Sequence, residues 1–334
     1  MKIFLRLFGK PLEHPTSPRW INFVRTIEEA GHELVSLDNG ARAQLAIWVD
    51  YDAHSMERVS VNRDKRILVQ IEPRSVFPRQ YAKAVEEKFG HVVSESLTEN
   101  GRKLHWQSGQ FSHQDMEDLR EHWDSPNERR IKVGLIVSNK NSAVAGSLYP
   151  LRRDTIKVLS ENQIGFAYAG RGWSWNIFKN LLQDIKEIFI FITSGLSWKF
   201  FSMKLRWRRP SLQAYIGEQK SSREFLSNVE IAVVIENEAN YFSEKLTDAL
   251  YARCQIIYVG PKLSSLKTLR NVIFASPNVE DISNKLEILI SENYADLNYS
   301  SLELESLAEL TYEKANRKFV SLINEIVSRH ELSN

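Results

Sequence analysis

The chain has 334 residues, more than one small hydrophobic core needs and enough for two domains of ordinary size. Lys plus Arg number 44 against 42 Asp plus Glu, so a formal charge of +2 gives no bulk electrostatic case for a nucleic-acid partner and confines any basic surface to local patches. The one cysteine, Cys254, excludes an internal disulfide framework and fits a reducing compartment, the cytoplasm by expectation.

The opening MKIFLRLFG is too short, and too interrupted by Arg6, for a secretory apolar region; it reads as a first strand. In SPRWINFVRTIEEAG, Ser17 suits an N-cap, Pro18 the first helical turn and Gly31 the helix exit. Apolar runs at HELVSL, AQLAIWVD and RILVQIE predict strands, RQYAKAVEEKF predicts a helix stopped by Gly90, and HVVSE predicts another strand. Strands interleaved with helices imply a mainly parallel, layered α/β sheet. Residues 107–130 are polar and poor in aliphatics, which divides the chain into a domain over 1–125, a second over 126–300 and a helical tail over 301–334. In the second domain IKVGLIVSN is a strand, LRRDTIKVLSEN a helix turning Leu151, Ile156, Val158 and Leu159 inward, and IGFAYAG a short strand. An insertion covers 173–210, and VEIAVVIE, SEKLTDALYA and QIIYVG form a compact β-α-β. The tail carries Leu307, Leu310, Phe319, Leu322 and Ile326 in helical pattern.

In open parallel sheets, ligands collect beyond the carboxyl ends of strands, where helix N-termini present free N–H groups and a positive dipole end. Two such places lie on one expected sheet edge. The first follows IKVGLIV, where Ser138, Asn139, Lys140, Asn141 and Ser142 lead to Arg152 and Arg153. The second follows VEIAVVIE, with Asn237, Tyr241, Ser243, Glu244 and Lys245. Ser243 suits an N-cap and Glu244 suits the positive helix end. Lys245 opposes the dipole, at about half a kcal/mol, unless an anion such as a diphosphate sits there. An exposed lysine that tolerates the cost and a phosphate ligand both fit.

IENEANYFSEKLTDALYARCQIIYVGP resembles the signature of the alpha-1,3-fucosyltransferases, glycosyltransferase family ten: an acidic-Asn pair, an aromatic, Thr-Glu-Lys, an amphipathic helix and a strand ending in glycine. AYIGEQKSSREFLSNVEIAVV, VSNKNSAVAGSLYPLRRDTIKVL and ILVQIEPRSVFP are similar to further family segments, in the family's order, so that the resemblance covers 66–94, 131–172 and 213–262. Ser243 replaces the usual threonine, Gln255-Ile256 a common Val-Pro pair, and Val259 an aromatic. The resemblance implies a GT-B fold, two Rossmann-like domains with a cleft between them, an acceptor side in the first and a donor site in the second. It implies inverting transfer of fucose from GDP-fucose to a glycan hydroxyl, with no required cofactor. Carried over, Arg152, Tyr241, Glu244 and Lys245 form the donor-binding group, Asn237 matches the Asn of the acidic-Asn pair, Ser138 and Asn139 match the Ser-Asn loop, and Arg153 rivals Arg152. Glu72 matches the glutamate that serves as general base. Another nucleotide-activated sugar, or a nucleotide-sugar or glycan binding module without turnover, are the alternatives.

Asp50-Tyr51-Asp52 has the form of a divalent-cation triplet, but it lies far from the donor-like motifs and is read as chance; His113, Glu117 and Glu121 read as one solvated helix face, so no metal is assigned. Within 173–210, IFIFITSGLSW is too short to span a bilayer and KFFSMKLRWRR holds five basic and no acidic residues, with Trp173, Trp175, Trp198 and Trp207 interleaved. Two readings fit: peripheral contact with an anionic membrane, suited to a lipid-linked glycan acceptor of a bacterial lipopolysaccharide O-antigen, or a hairpin packed on the donor domain with a basic rim. Grip on single-stranded nucleic acid is disfavoured.

Overall fold

Aliphatic and β-branched runs separated by helices form two all-parallel sheets in the computed structural model, which describes every residue except 9–16, 37–41, 97–102, 122–128, 163–164, 174–175, 206–211, 292–297 and 332–334. Trp175, Trp207 and the arginines at 206, 208 and 209 lie outside the described residues. The chain divides into two units: residues 1–116, 194–196 and 307–334, and residues 117–193 and 197–306.

The first unit holds β1 (Lys2–Leu7), α1 (Pro18–Glu29), β2 (Glu33–Val35), β3 (Leu45–Val49), α2 (Ala53–Arg58), β4 (Arg66–Gln70), α3 (Lys83–Glu86), β5 (His91–Ser94) and β6 (Leu104–His105), followed by α4 (His113–Arg120), which ends beyond it. Its strand order is β2-β1-β3-β4-β5-β6. Alternation along each strand feeds two cores. Ile3, Leu5, Ile47, Val49, Ile67 and Val69 meet Phe23 and Ile27 of α1 on one face, while Phe4, Ala46, Trp48 and Leu68 meet Val59, Val85 and Phe89 on the other. Pro18 opens α1 as expected and Gly31 leaves it at φ +83, but Ser17 makes no side-chain cap; its carbonyl takes the N–H groups of Trp20 and Ile21 instead. The helix expected over 79–89 is broken: a short 3-10 turn, Pro78–Tyr81, stops at Ala82 in extended backbone (ψ 135), and only Lys83–Glu86 is α-helical. There Gln70 Nε2 donates to the Gln80 carbonyl at 2.7 Å, a group that a continuing helix would offer to its own backbone, while the Gln80 side chain accepts from Tyr51 N and donates to Glu72 O.

The second unit runs β7 (Ile131–Ile136), α5 (Tyr149–Glu161), β8 (Phe166–Ala169), α6 (Ile177–Ser194), α7 (Ser222–Leu226), β9 (Val229–Ile235), α8 (Glu244–Tyr251), β10 (Gln255–Val259), β11 (Val272–Phe274) and α9 (Val279–Ser291). Its order is β11-β10-β9-β7-β8. Two of the expected inward residues of α5, Ile156 and Leu159, are buried, but the buried row also takes Tyr149, Arg152 and Thr155, at helical three- and four-residue spacing, while Leu151 and Val158 lie at its margin. The described residues of the insertion form an 18-residue helix followed by a 3-10 turn, Trp198–Phe200, and no described helix is long and apolar enough to cross a membrane.

The residues read as a separate tail form α10 (Ser301–Ala308) and α11 (Tyr312–Glu331). From Leu307 onward the chain belongs to the first unit, whose core takes Ala315, Phe319, Val320, Ile323 and Ile326. Phe111 and Thr311 form a bridge, and Trp106 Nε1 donates to Ala315 O at 2.7 Å.

Candidate functional site

In the second sheet the chain leaves β7 for the edge strand β8 and returns on the other side as β9, so the carboxyl ends of β7 and β9 flank the point where strand order reverses. Beyond β7 come Ser138, half-buried, and Asn139, buried, whose Nδ2 donates to Gly172 O at 3.1 Å. Beyond β9 come Glu236 and Asn237. Arg152 joins the two sides: from α5 its Nε and Nη2 donate to Ile235 O at 3.1 and 2.8 Å, and Nη2 also donates to Asn237 Oδ1 at 2.8 Å. Leu148 N donates to Asn237 O at 2.9 Å. Burial holds the Arg152 guanidinium below its usual pKa, against the opposing influence of Tyr149, Glu236 and Glu244. Its rival Arg153 turns toward the β7 loop and donates to Lys140 O at 2.9 Å.

Ser243 is the N-cap of α8, as its sequence position suggests. The Glu236 carboxylate, 0% exposed, explains its neighbour Lys245. Glu236 accepts from Ser243 N at 3.0 Å, Ser243 Oγ at 2.6 Å and Tyr258 OH at 3.3 Å. The Lys245 ammonium donates to Ser243 Oγ at 2.8 Å and lies 3.6 Å from Glu236 Oε2. An internal carboxylate thus offsets the unfavourable dipole that had suggested an external anion, and sequence inspection missed it because Glu236 reads as the last residue of an apolar strand. Burial and the Glu236 charge push the Tyr258 hydroxyl well above its usual pKa, which keeps it a donor to that carboxylate. Gly260 closes the motif for a steric reason: a Cβ there would lie 2.3 Å from the Tyr258 hydroxyl and 2.9 Å from Glu236 Cγ. Tyr241 is buried, whereas the Glu244 side chain is 65% exposed with Oε1 3.9 Å from Lys245 Nζ. Arg152 with Asn237, and Ser243 with Lys245, therefore gather at one edge of the sheet.

Glu72 lies in the first unit, beyond β4, and its backbone is clamped on both sides. Asp50 Oδ1 accepts from Ile71 N at 3.1 Å and Glu72 N at 3.2 Å, while Gln80 Nε2 and Tyr81 OH each donate to Glu72 O at 2.9 Å. Asp50, at φ 59, thus serves the β4 exit, and Asp52 Oδ2 accepts from Arg6 Nε at 3.0 Å, so both carboxylates of the Asp-x-Asp triplet have protein partners. No group of three or more His, Cys, Asp or Glu able to hold a metal occurs among the described residues; His113, Glu117 and Glu121 are exposed.

Glu95, beyond β5, reads in the sequence only as the end of the HVVSE strand. Its side chain is 0% exposed; Oε1 accepts from Ser108 Oγ and lies 3.9 Å from Arg19 Nη2, and Oε2 has no hydrogen-bond partner. Burial pushes its carboxyl up to about 8, opposed by Arg19 and Ser108 and assisted by the charges of Glu72 and Asp50, so it is mostly protonated at neutral pH. Three carboxyl groups thus stand at the exits of the adjacent strands β3, β4 and β5.

No family model matches the chain, and no curated protein matches it in sequence. Solved structures do match in fold. A glycosyltransferase from Rickettsia africae ESF-5 shares 11% identity over 98% of each chain, with a TM-score of 0.51. Anabaena Alr3699/HepE in complex with UDP shares 10% identity over 97% of this chain and 99% of that one, at 0.53. An alpha1,3-fucosyltransferase shares 13% identity over 97% of this chain and 90% of that one, at 0.50. With its two parallel Rossmann-like sheets, the chain has the GT-B fold of glycosyltransferases.

Proposed function

We propose that the chain is an inverting glycosyltransferase that transfers fucose from GDP-fucose to a hydroxyl of a glycan, in the synthesis of a bacterial surface polysaccharide such as an O-antigen. The observation that carries this reading is the gathering of Arg152, Asn237, Ser243 and Lys245 at the carboxyl ends that flank the strand-order reversal, where a nucleotide diphosphate meets helix N–H groups. Lys245, Arg152 and the N-terminus of α8 offset the charge of the departing diphosphate. Glu244, exposed beside Lys245, accepts from ribose hydroxyls, and Ser138, Asn139, Asn237 and Tyr241 shape the donor site. The first unit takes the acceptor. Its hydroxyl oxygen bonds to the anomeric carbon as the bond from that carbon to the diphosphate oxygen breaks on the opposite face, Glu72 takes the hydroxyl proton, and GDP leaves with the electron pair. The acceptor is a lipid-linked glycan, reached from the cytoplasmic side through membrane contact by 173–210.

A thermal-shift panel of GDP, UDP, CMP and dTDP tests the donor, since a ligand that binds the folded state raises its apparent stability. A selective shift with GDP is expected; a selective shift with UDP assigns another nucleotide-activated sugar. In Glu72→Gln the GDP shift persists while transfer falls by about 10²–10⁴-fold. A nucleotide shift without donor hydrolysis or transfer by the unaltered chain makes it a binding module.

A further inference from the structure

Helix α6 is inverted relative to an ordinary surface helix. Its buried row is Asn180, Asp184, Phe191 and Ser194, three of them polar, and Asp184 Oδ1 accepts from Asn141 Nδ2 at 3.0 Å. Its outward row is Phe178, Leu181, Leu182, Ile185, Phe189 and Ile192, each between 42% and 77% exposed. At 3.6 residues per turn these six fall within an arc of about 100° on the side opposite the buried row. Trp198, 66% exposed, extends the apolar surface past the helix end and is held by ring contacts to Phe191 and Phe201 at 5.6 and 5.4 Å. A contiguous exposed apolar stripe of this kind marks an interaction surface.

Charge selects the occupant. Lys179, Lys186 and Lys199 are exposed beside the stripe, whereas of the two acidic residues of α6 Asp184 is buried and Glu187 half-buried. Pairing with a second copy through this face would bring two sets of lysines to one seam with no exposed acidic residue of α6 to meet them. An anionic bilayer supplies both an apolar interior for the rings and negative headgroups for the ammonium groups. At 18 residues α6 is about 27 Å long. Its polar side is fastened to the second unit, so it lies along an interface and does not cross one.

We infer that the Phe178–Ile192 face of α6, with Trp198 at its end, is a lipid-binding face that seats the second unit in the headgroup layer of an anionic phospholipid membrane. This deepens the membrane contact of the proposed function and rests on that reading only for its purpose, presentation of a lipid-linked acceptor. The test is sedimentation of the full chain with vesicles of phosphatidylcholine alone or mixed with phosphatidylglycerol. The unaltered chain is expected to sediment with the anionic vesicles and to be released by salt. Leu182→Glu/Phe189→Glu is expected to weaken partition by at least about tenfold, the equivalent of 1.4 kcal/mol, and Lys186→Glu/Lys199→Glu to remove the preference for phosphatidylglycerol. An unchanged melting temperature in both variants shows that they fold. Failure of the unaltered chain to bind anionic vesicles, equal binding by the Leu182→Glu/Phe189→Glu variant, or a lipid-free dimer that this variant dissolves would each overturn the inference. Because no nucleotide is present, loss of the GDP thermal shift with vesicle binding intact would overturn the donor reading alone.

Discussion

Replacing Lys245 with Met removes the ammonium 3.6 Å from the Glu236 carboxylate and leaves that carboxylate, 0% exposed, with two hydroxyls and one peptide N–H. Stranding one partner of a buried pair costs about 3 kcal/mol, whereas removing both charges costs far less. Chemical denaturation of Lys245→Met is expected to show that loss, and Glu236→Gln/Lys245→Met to recover most of it. A residue that served only a bound phosphate would leave stability in ligand-free buffer unchanged on substitution. Glu95 makes a separate prediction. Its folded-state pKa lies near 8 against 4.5 as the ordinary value, so between those limits the folded chain binds more protons at this site than the unfolded chain does. Stability from this group therefore falls as pH rises from about 4.5 to about 8. In Glu95→Gln that component of the pH dependence is expected to disappear, read as a flatter melting temperature against pH, with the largest gain over the unaltered chain at the alkaline end.

At the scale of elements, strands were more legible than helices. β1, β3, β4, β7, β9 and β10 follow from short apolar runs, because a buried parallel strand needs only a few consecutive aliphatic residues. The helix expected over 79–89 failed because Gln80 and Tyr81 are tied to the exits of β3 and β4, through Tyr51 N, the Gln70 side chain and Glu72 O, contacts that apolar periodicity within 79–89 cannot encode. Arg152 was legible as a candidate but not as a buried residue on the inward row of α5, since its burial depends on the Ile235 carbonyl and Asn237, more than eighty positions away. Likewise the sequence presents α6 only as an apolar run within an insertion, and periodicity does not say which side of a helix faces outward. The motif glycine has a steric explanation that can be tested. Gly260→Ala forces Tyr258 and Glu236 apart at the exit of β10, and overpacking of this kind costs about 1–3 kcal/mol. Alanine there is expected to lower the denaturation midpoint, and Tyr258→Phe/Gly260→Ala not to restore it, because phenylalanine keeps the ring carbon Cζ that also lies 2.3 Å from the Cβ position.

For the whole molecule, what the sequence hid was the return of the chain. A polar stretch over 107–130 marks a passage between cores, but nothing local in 301–334 says that its second helix completes the first core and not the second. The assignment follows from contacts: Phe319 packs on Phe23 and Trp106 with ring centroids 5.1 and 4.8 Å apart, Asn316 Nδ2 donates to Asn22 Oδ1 at 2.8 Å, and Gly109 passes so close to the Thr311 backbone that a Cβ would lie 2.1 Å from it. A chain ending at residue 306 would uncover Ile3, Leu5, Phe23 and Trp106 and lose the burial of Phe319, Val320, Ile323 and Ile326. At about 1.5–3 kcal/mol for each of those four side chains, the loss of about 6–12 kcal/mol matches the entire stability of an ordinary domain. Residues 1–306 are therefore expected to keep the second sheet while the first becomes protease-sensitive, with cleavage concentrated before residue 116, whereas a true tail would be removed without such damage. Because the proposed donor residues all lie in 117–306, the truncated chain should still give a nucleotide thermal shift while transfer, which needs Glu72 in an intact first sheet, is lost.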